Sequence, residues 1–170
     1  PMPDVQTQTA QLMTGGLDVM YRVPKDQLDA LKSNPNLSVT VQKGQLFYYM
    51  AMDSIGKSGN KALLDKRVRR ALMMAVNREG IRKNLIPGGM EQKQMDAMCQ
   101  AWQLGCGFSS APPMYNPAAA KKLLAKAGFP NGFDVEITTT LPRIIASAIA
   151  GDLRKVGVKA TVDRLTFGAY

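Results

Sequence analysis

The clearest pattern in the chain is an apolar stripe within residues 65–85. Apolar residues recur there on a period of 3.6: Val68, Ala71, Leu72, Ala75, Val76 and Leu85. Asp65 precedes the stripe, and its carboxylate suits an N-cap that accepts from the first-turn N–H groups. The basic residues lie mostly off the stripe: Lys66, Arg67, Arg69, Arg70, Arg78, Arg82 and Lys83. The pattern predicts one long amphipathic helix with a solvated basic face.

Before this helix, helical and extended patterns alternate. Helices are predicted at residues 4–14 and 24–33, because each segment ends at a Gly-Gly or an Asn-Pro stop. Alternation of apolar and polar residues predicts strands at 17–23 and 37–41. A continuous apolar run, LFYYMAM at residues 46–52, is typical of a strand covered on both faces.

The last third of the chain repeats a simple order of elements. Asn116 and Pro117 supply the N-cap and first residue of a helix that stops at Gly128. A strand is predicted at 133–139, a helix capped by Thr140 and beginning near Pro142 follows, and a second strand covers 158–165. This order predicts α/β or mixed α+β organisation, with a sheet covered by helices.

The stretch between residues 86 and 113 has no periodicity and contains the two cysteines, Cys99 and Cys106. Two thiolates alone make a poor metal site, and their spacing is not the CxxC redox pattern. Two free thiols or one short-loop disulfide remain open, and we favour the disulfide, which implies an oxidising compartment.

Composition describes an ordinary globular protein, with 45% hydrophobic and 21% charged residues in 170. That length suits one domain, with room for a piece of a second. No apolar run approaches the roughly 18–20 residues of a membrane span, and no signal peptide opens the chain. Since Pro1 is not an initiator, we expect a processed N-terminus or one made by cutting a longer protein.

The net charge of +9 raises the alternative of a basic nucleic-acid-binding globular domain. The basic residues are scattered over several helices, few aromatic residues lie among them, and no known reader motif is present. Solvated helix faces explain them better. We therefore expect no nucleic-acid partner.

The chain has no histidine, which removes the commonest general base and metal ligand. No Ser–Lys or paired-carboxylate signature replaces it, so we do not expect an enzyme. Met73 and Met74 raise the idea of a soft-metal or heme site, but without histidine or clustered cysteine they fit flexible core filling better. We expect no metal and no cofactor.

Five collinear segments resemble the family 5 extracellular solute-binding proteins, the peptide- and nickel-type receptors of ABC importers. They are LMTGGLDVMYRVPKDQLDALKSNPNLSV, LFYYMAMDS, DKRVRRALMMAVNREGI, YNPAAAKKLLAKAGFPNGFDVEITTT and DLRKVGVKATVDRLTFGAY. One departure is Asp53, which stands where the family commonly has asparagine. The segments span nearly all of the chain.

The resemblance implies part of a periplasmic-binding-protein type II fold, a mixed sheet covered by helices. Family members are longer, two-lobed receptors, so we expect an internal fragment: residues 1–43 from the end of the first lobe, and 44–170 from the start of the second. It also implies a periplasmic receptor, peripheral to the membrane. Such a receptor captures a peptide-like or other small solute and delivers it to an ABC transporter permease.

The resemblance also suggests ligand-binding positions, because the family's ligand lies between the lobes. Carried over by position, these are Gln45, Phe47, Tyr48, Thr139, Thr140, Arg143 and Phe167. Aromatic faces supply contact area at low entropic cost, and threonine and arginine orient polar groups. The alternative is that the aromatic residues belong to the sheet core and that Arg143 is only a surface residue at a helix start.

An incomplete sheet leaves an unpaired strand and exposed apolar surface. We therefore expect such a fragment to dimerise, or to pair with the missing part of its parent chain.

Overall fold

The computed structural model describes residues 4–21, 23–40, 48–86, 95, 97, 99, 104–106 and 112–165. The elements in chain order are α1 (Val5–Met13), α2 (Lys25–Lys32), a short 3-10 helix (Lys61–Leu64), α3 (Lys66–Ala75), α4 (Arg78–Leu85), α5 (Pro117–Lys126), β1 (Asp134–Thr139), α6 (Arg143–Arg154) and β2 (Lys159–Arg164). The helices predicted in the first third and after Asn116 are confirmed within a residue or two, as are both late strands.

The unit β1–α6–β2 forms a parallel pair of strands joined by a helix. The register runs from Asp134 opposite Lys159 to Thr139 opposite Arg164. Parallel strands need a long crossover connection, and α6 supplies it. Alternate residues such as Val135 and Ile137 turn inward and pack on the core.

The core lies beneath α3, which packs against α5. The backbone N–H of Asn116 donates to the carbonyl of Met74 at 2.8 Å, and Arg67 donates to the carbonyl of Lys126 at 3.2 Å. Because these contacts join opposite ends, the two helices run antiparallel. The predicted apolar stripe is buried at Val68, Ala71, Leu72, Ala75 and Val76, where it meets Ala120, Leu124, Leu153, Val156 and Val158.

The single helix predicted over residues 65–85 is wrong, because the chain forms two helices. Val76 is extended, with φ −89° and ψ 121°. The side chain of Asn77 caps α4 by accepting the Gly80 N–H at 2.9 Å. The freed N–H of Asn77 donates to the carboxylate of Asp152 on α6 at 2.8 Å. Only the first helix keeps the buried stripe.

The three early strands are also not observed. Within 17–23, 37–41 and 46–52, the described residues form no strand, and residues 22, 41, 46 and 47 lie outside the described part. Val19 and Tyr21 are 76% and 77% exposed. A strand requires a partner for its backbone groups, and the only ladder among the described residues joins β1 to β2.

Thr140 does not cap α6 as predicted. The N-cap is Pro142, which has no side-chain acceptor. The hydroxyl of the preceding Thr139 instead accepts the N–H of Leu141 at 3.0 Å, which shapes the turn before the helix. The predicted stops at Gly128 and Gly157 are confirmed, since both adopt positive φ, 96° and 92°.

The predicted disulfide between Cys99 and Cys106 is present, with the Cα atoms 6.0 Å apart. Cys106 is buried. The bridge therefore constrains a stretch of chain that has no helix or strand among its described residues. A separate finding is that none of the described helices combines the length and apolarity needed to cross a bilayer.

We predict that Asp152→Ala destabilises the intact protein by about 1–3 kcal/mol, because the partly buried N–H of Asn77 loses its acceptor. The free energy of unfolding is measured by chemical denaturation. The control is Asp163→Ala on the exposed end of β2, for which we expect a change within about 0.5 kcal/mol. Equal effects of the two substitutions would contradict the role assigned to Asp152.

We predict that replacing both Cys99 and Cys106 with serine lowers the unfolding free energy by about 2–3 kcal/mol, from the loss of a short cross-linked loop. A reductant should produce the same loss in the unaltered protein and none in the double variant. Thiol titration gives the independent check, since reactive free thiols at these positions before reduction would exclude the bridge.

Candidate functional site

The carboxyl ends of β1 and β2 meet at one edge of the sheet. Thr139 and Arg164 are register partners at the last paired position, and residues 140–142 lead from this edge into α6. In open α/β sheets, ligands bind outside the carboxyl ends of the strands. We call residues 139–143 together with Arg164 the carboxyl edge.

Thr139 stabilises the turn at this edge through two hydrogen bonds. Its side chain accepts the Leu141 N–H at 3.0 Å, and its carbonyl accepts the Leu165 N–H at 3.0 Å. The residue is only 8% exposed. Thr139 therefore holds the shape of the turn, while Thr140, which is partly buried, keeps more of its surface open.

Two guanidinium groups flank the same turn. Arg143 is the first residue of α6 and is exposed. Arg164 donates through Nε to the carbonyl of Leu141 at 3.3 Å. Arginine forms paired, charge-assisted hydrogen bonds with carboxylates, so this pair suits an anionic or carboxyl-bearing ligand. Sequence reasoning missed Arg164, and the signal that could have found it is the register of two parallel strands ending together.

The start of α6 adds to the positive character of the carboxyl edge. Pro142 offers no side-chain acceptor, so the first N–H groups of the helix are not capped by it. Free N–H groups at a helix N-terminus favour anions. Together with Arg143 and Arg164, they make this edge a place that attracts negative charge.

The remaining predicted ligand positions fall elsewhere. Tyr48 is 52% exposed, and no hydrogen bond, ion pair or ring contact in the described part of the chain joins it to the carboxyl edge. Gln45, Phe47 and Phe167 lie outside the described residues. The structure thus brings together Thr139, Thr140 and Arg143.

Two grooves lie away from this edge. The larger, of about 500 Å³, is lined by Ser58, Asn60, Leu63, Asp134, Val135, Glu136, Lys159 and Thr161. The smaller, of about 280 Å³, is lined by Arg78, Glu79, Pro112, Met114 and Tyr115. Neither is lined by a predicted ligand-binding residue. The carboxylate of Glu79 already accepts hydrogen bonds from Arg82 and Lys83. These hydrogen bonds lower the pKa of Glu79 to about 2.

A tight turn connects the segment around Tyr48 to the sheet. Asp53 accepts from the hydroxyl and N–H of Ser58 and from the N–H groups of Ile55 and Gly56. These hydrogen bonds, that of the Ser58 hydroxyl foremost, hold the pKa of Asp53 well below its usual range. Asn60 then donates to the carbonyl of Asp134 at 3.0 Å, which ties the turn to the start of β1. An aspartate thus closes the turn in which the family commonly has asparagine.

Metal-binding side chains are not clustered in this part of the molecule. The described residues contain no group of three or more His, Cys, Asp and Glu side chains placed to hold a metal ion. The polar groups of the carboxyl edge are backbone N–H groups, threonine hydroxyls and guanidinium groups, which are not the usual ligands of a metal ion. Such groups suit hydrogen bonding to a polar or anionic solute.

Comparison with known proteins identifies the family. The model for bacterial extracellular solute-binding proteins, family 5, matches residues 1–170. Heme-binding protein A of Haemophilus influenzae is 29% identical over 167 residues, which is 93% of this chain and 29% of that protein. Di/tripeptide-binding protein 1 of Pseudomonas aeruginosa is 28% identical over 176 residues, which is 98% of this chain and 32% of that protein.

A solved structure shows the same fold. The periplasmic binding protein DppA from Helicobacter pylori, in complex with the peptide STSA, superposes with a TM-score of 0.84 at 26% identity. The match covers 99% of this chain and 32% of DppA. The fold is accordingly part of the periplasmic-binding-protein type II fold, as predicted, and the chain spans about a third of the length of the relatives it matches. The chain belongs to the bacterial extracellular solute-binding proteins, family 5.

Proposed function

We propose that this chain is part of the substrate-binding component of an ABC importer. It captures a peptide-like or other small solute outside the inner membrane and delivers it to the permease. The observation that carries the proposal is the family match over all 170 residues. The similarity to peptide-bound DppA, in both sequence and fold, supports a peptide-like ligand.

Within this function, the carboxyl edge contacts the solute. Arg143 and Arg164 bind a carboxylate of the ligand, and Thr140 orients its polar groups. Thr139 acts through the turn that it braces. Tyr48 contributes an aromatic face, and Gln45, Phe47 and Phe167 complete the contact set carried over from the family.

The division into lobes follows the same resemblance. Residues 1–43 form the end of the first lobe, and residues 44–170 form the beginning of the second. The exposed side chains of Tyr49 and Met50 become covered in the intact protein, by further strands of the parent chain or by a second copy. Their present exposure supports this, because large apolar side chains gain by burial.

The nucleic-acid alternative is not favoured. The family is extracellular, and the Cys99–Cys106 disulfide suits an oxidising compartment. The family is one of solute-binding proteins rather than enzymes.

We predict that short peptides raise the melting temperature of the intact protein, because a ligand that binds only the folded state stabilises it. Arg143→Ala should weaken peptide affinity by about tenfold or more, as expected for loss of a charge-assisted hydrogen bond of about 1.5–3 kcal/mol. Binding is measured by thermal shift and calorimetry. The matched control is Arg154→Ala at the opposite end of α6, which should bind normally.

Failure of a broad peptide library and of metal complexes to stabilise the protein would count against the receptor function. Equal affinities for the Arg143 and Arg154 variants would instead remove Arg143 from the site while leaving the function intact.

We also predict that Thr139→Val lowers stability by about 1 kcal/mol, because the Leu141 N–H loses its acceptor. Thr139→Ser keeps the hydroxyl and should preserve stability to within about 0.5 kcal/mol. Denaturation curves compare the two variants. A valine variant as stable as the serine variant would show that the hydroxyl does not brace the turn.

A further inference from the structure

The strongest unexplained feature is a set of exposed cations on the adjacent helices α3 and α5. We call it the basic surface: Lys66, Arg70, Lys121, Lys122 and Lys126, all of which are exposed. Lys66 and Arg70 lie one turn apart on α3, as do Lys122 and Lys126 on α5. The helices are adjacent and antiparallel, and the guanidinium of Arg67 donates a hydrogen bond to the carbonyl of Lys126. The two pairs of cations therefore belong to neighbouring helices.

The charge of the basic surface is not neutralised within the described residues. Asp65 is the one carboxylate within α3, α5 and their N-caps, and it is engaged by Arg67 at 2.6 Å. None of the five cations makes an ion pair or hydrogen bond in the part of the chain that the structure describes. Elsewhere the protein pairs such groups: Arg82 and Lys83 with Glu79.

The chemistry of this surface favours one kind of partner. Protein interfaces have an apolar core with aromatic anchors, whereas the exposed apolar residues on α3 and α5 are the small Ala118 and Ala125. The extracellular family disfavours nucleic acid. A spread of long, flexible cations without an apolar anchor suits a diffuse layer of lipid phosphates.

We propose that the basic surface binds anionic phospholipid bilayers and holds the receptor close to the membrane. The proposal rests on the extracytoplasmic location in the proposed function, but not on the identity of the solute. Binding is electrostatic and reversible, with each cation strengthening partition onto an anionic bilayer roughly fivefold. It weakens as salt screens the surface charge.

The test uses the intact protein and sedimentation with vesicles. One vesicle type is phosphatidylcholine alone, and the other is phosphatidylcholine mixed with phosphatidylglycerol. We expect binding only to the anionic vesicles, with a steep decrease as salt is raised. The variant Lys66→Gln, Arg70→Gln, Lys122→Gln, Lys126→Gln should lose at least tenfold in partition.

The matched control removes the same number of charges from other elements: Lys32→Gln, Lys57→Gln, Arg154→Gln, Lys159→Gln. It should retain most of the binding. Equal losses in the two variants would overturn the proposal, since net charge alone would then explain binding. Absence of binding to anionic vesicles, or binding to polyglutamate but not to vesicles, would also overturn it.

Peptide-induced thermal shift is measured on the same variants. It should be unchanged, which also shows that both are folded. A protein that responds to peptide but ignores vesicles would refute the membrane proposal alone. One that binds vesicles through the basic surface without responding to any solute would count against the receptor function alone.

Discussion

The fold depends on the carboxylate of Asp152. It lies on α6, it is largely buried, and it accepts the N–H of Asn77 where α3 gives way to α4. The ammonium group of Lys155 donates a hydrogen bond to this carboxylate, with Nζ 2.7 Å from Oδ1. It balances the charge of Asp152, and the hydrogen bond raises the pKa of Lys155. A buried charge with these partners is stable, whereas one without them is costly. The contact thus fixes the helix between the two strands against the helix that covers the core.

The position of α6 in turn sets the carboxyl edge. Because α6 begins immediately after the turn at 140–142, a shift in how α6 packs against the core would move Arg143 relative to Arg164. The buried residues next to this edge are Ile145 and Ala146 in the first turn of α6, whereas Leu153, Val156 and Val158 of the main core lie at the other end of the helix. Arg143 and Arg164, which we propose as ligand contacts, are exposed to solvent at this edge. The proposed recognition groups are therefore different residues from those that form the core.

Charge is also divided over the molecule. Arginines at the carboxyl edge suit a small anionic group, while the cations of the basic surface are spread over two helices and suit an extended one. These two positive regions account for part of the net charge of +9 without a nucleic-acid partner. The small groove beside α4 is different, since Glu79 is already paired there.

Local signals in the sequence determined much of the fold. Asp65 and Asn116 as caps, Gly128 and Gly157 as stops, and the alternation in the last two strands each act through neighbouring residues, so the pattern alone locates the elements. The resemblance in five segments identified the family. It also suggested Thr139, Thr140 and Arg143 as ligand contacts, from the end of β1 to the start of α6, but it did not suggest Arg164, which the strand register places beside Thr139.

Contacts between distant residues decided the rest. The helix ends before Asn77, whose N–H donates to Asp152, a residue far along the chain. Alternation at 17–23 cannot specify a strand without a partner for the backbone, and the described ladder joins only β1 and β2. Thr139 is predicted from the resemblance as a ligand contact, and the structure adds that the residue is buried and that its hydroxyl accepts the N–H of Leu141. A hydrogen-bond partner far away in the chain leaves no local trace, so only the tertiary structure could supply it.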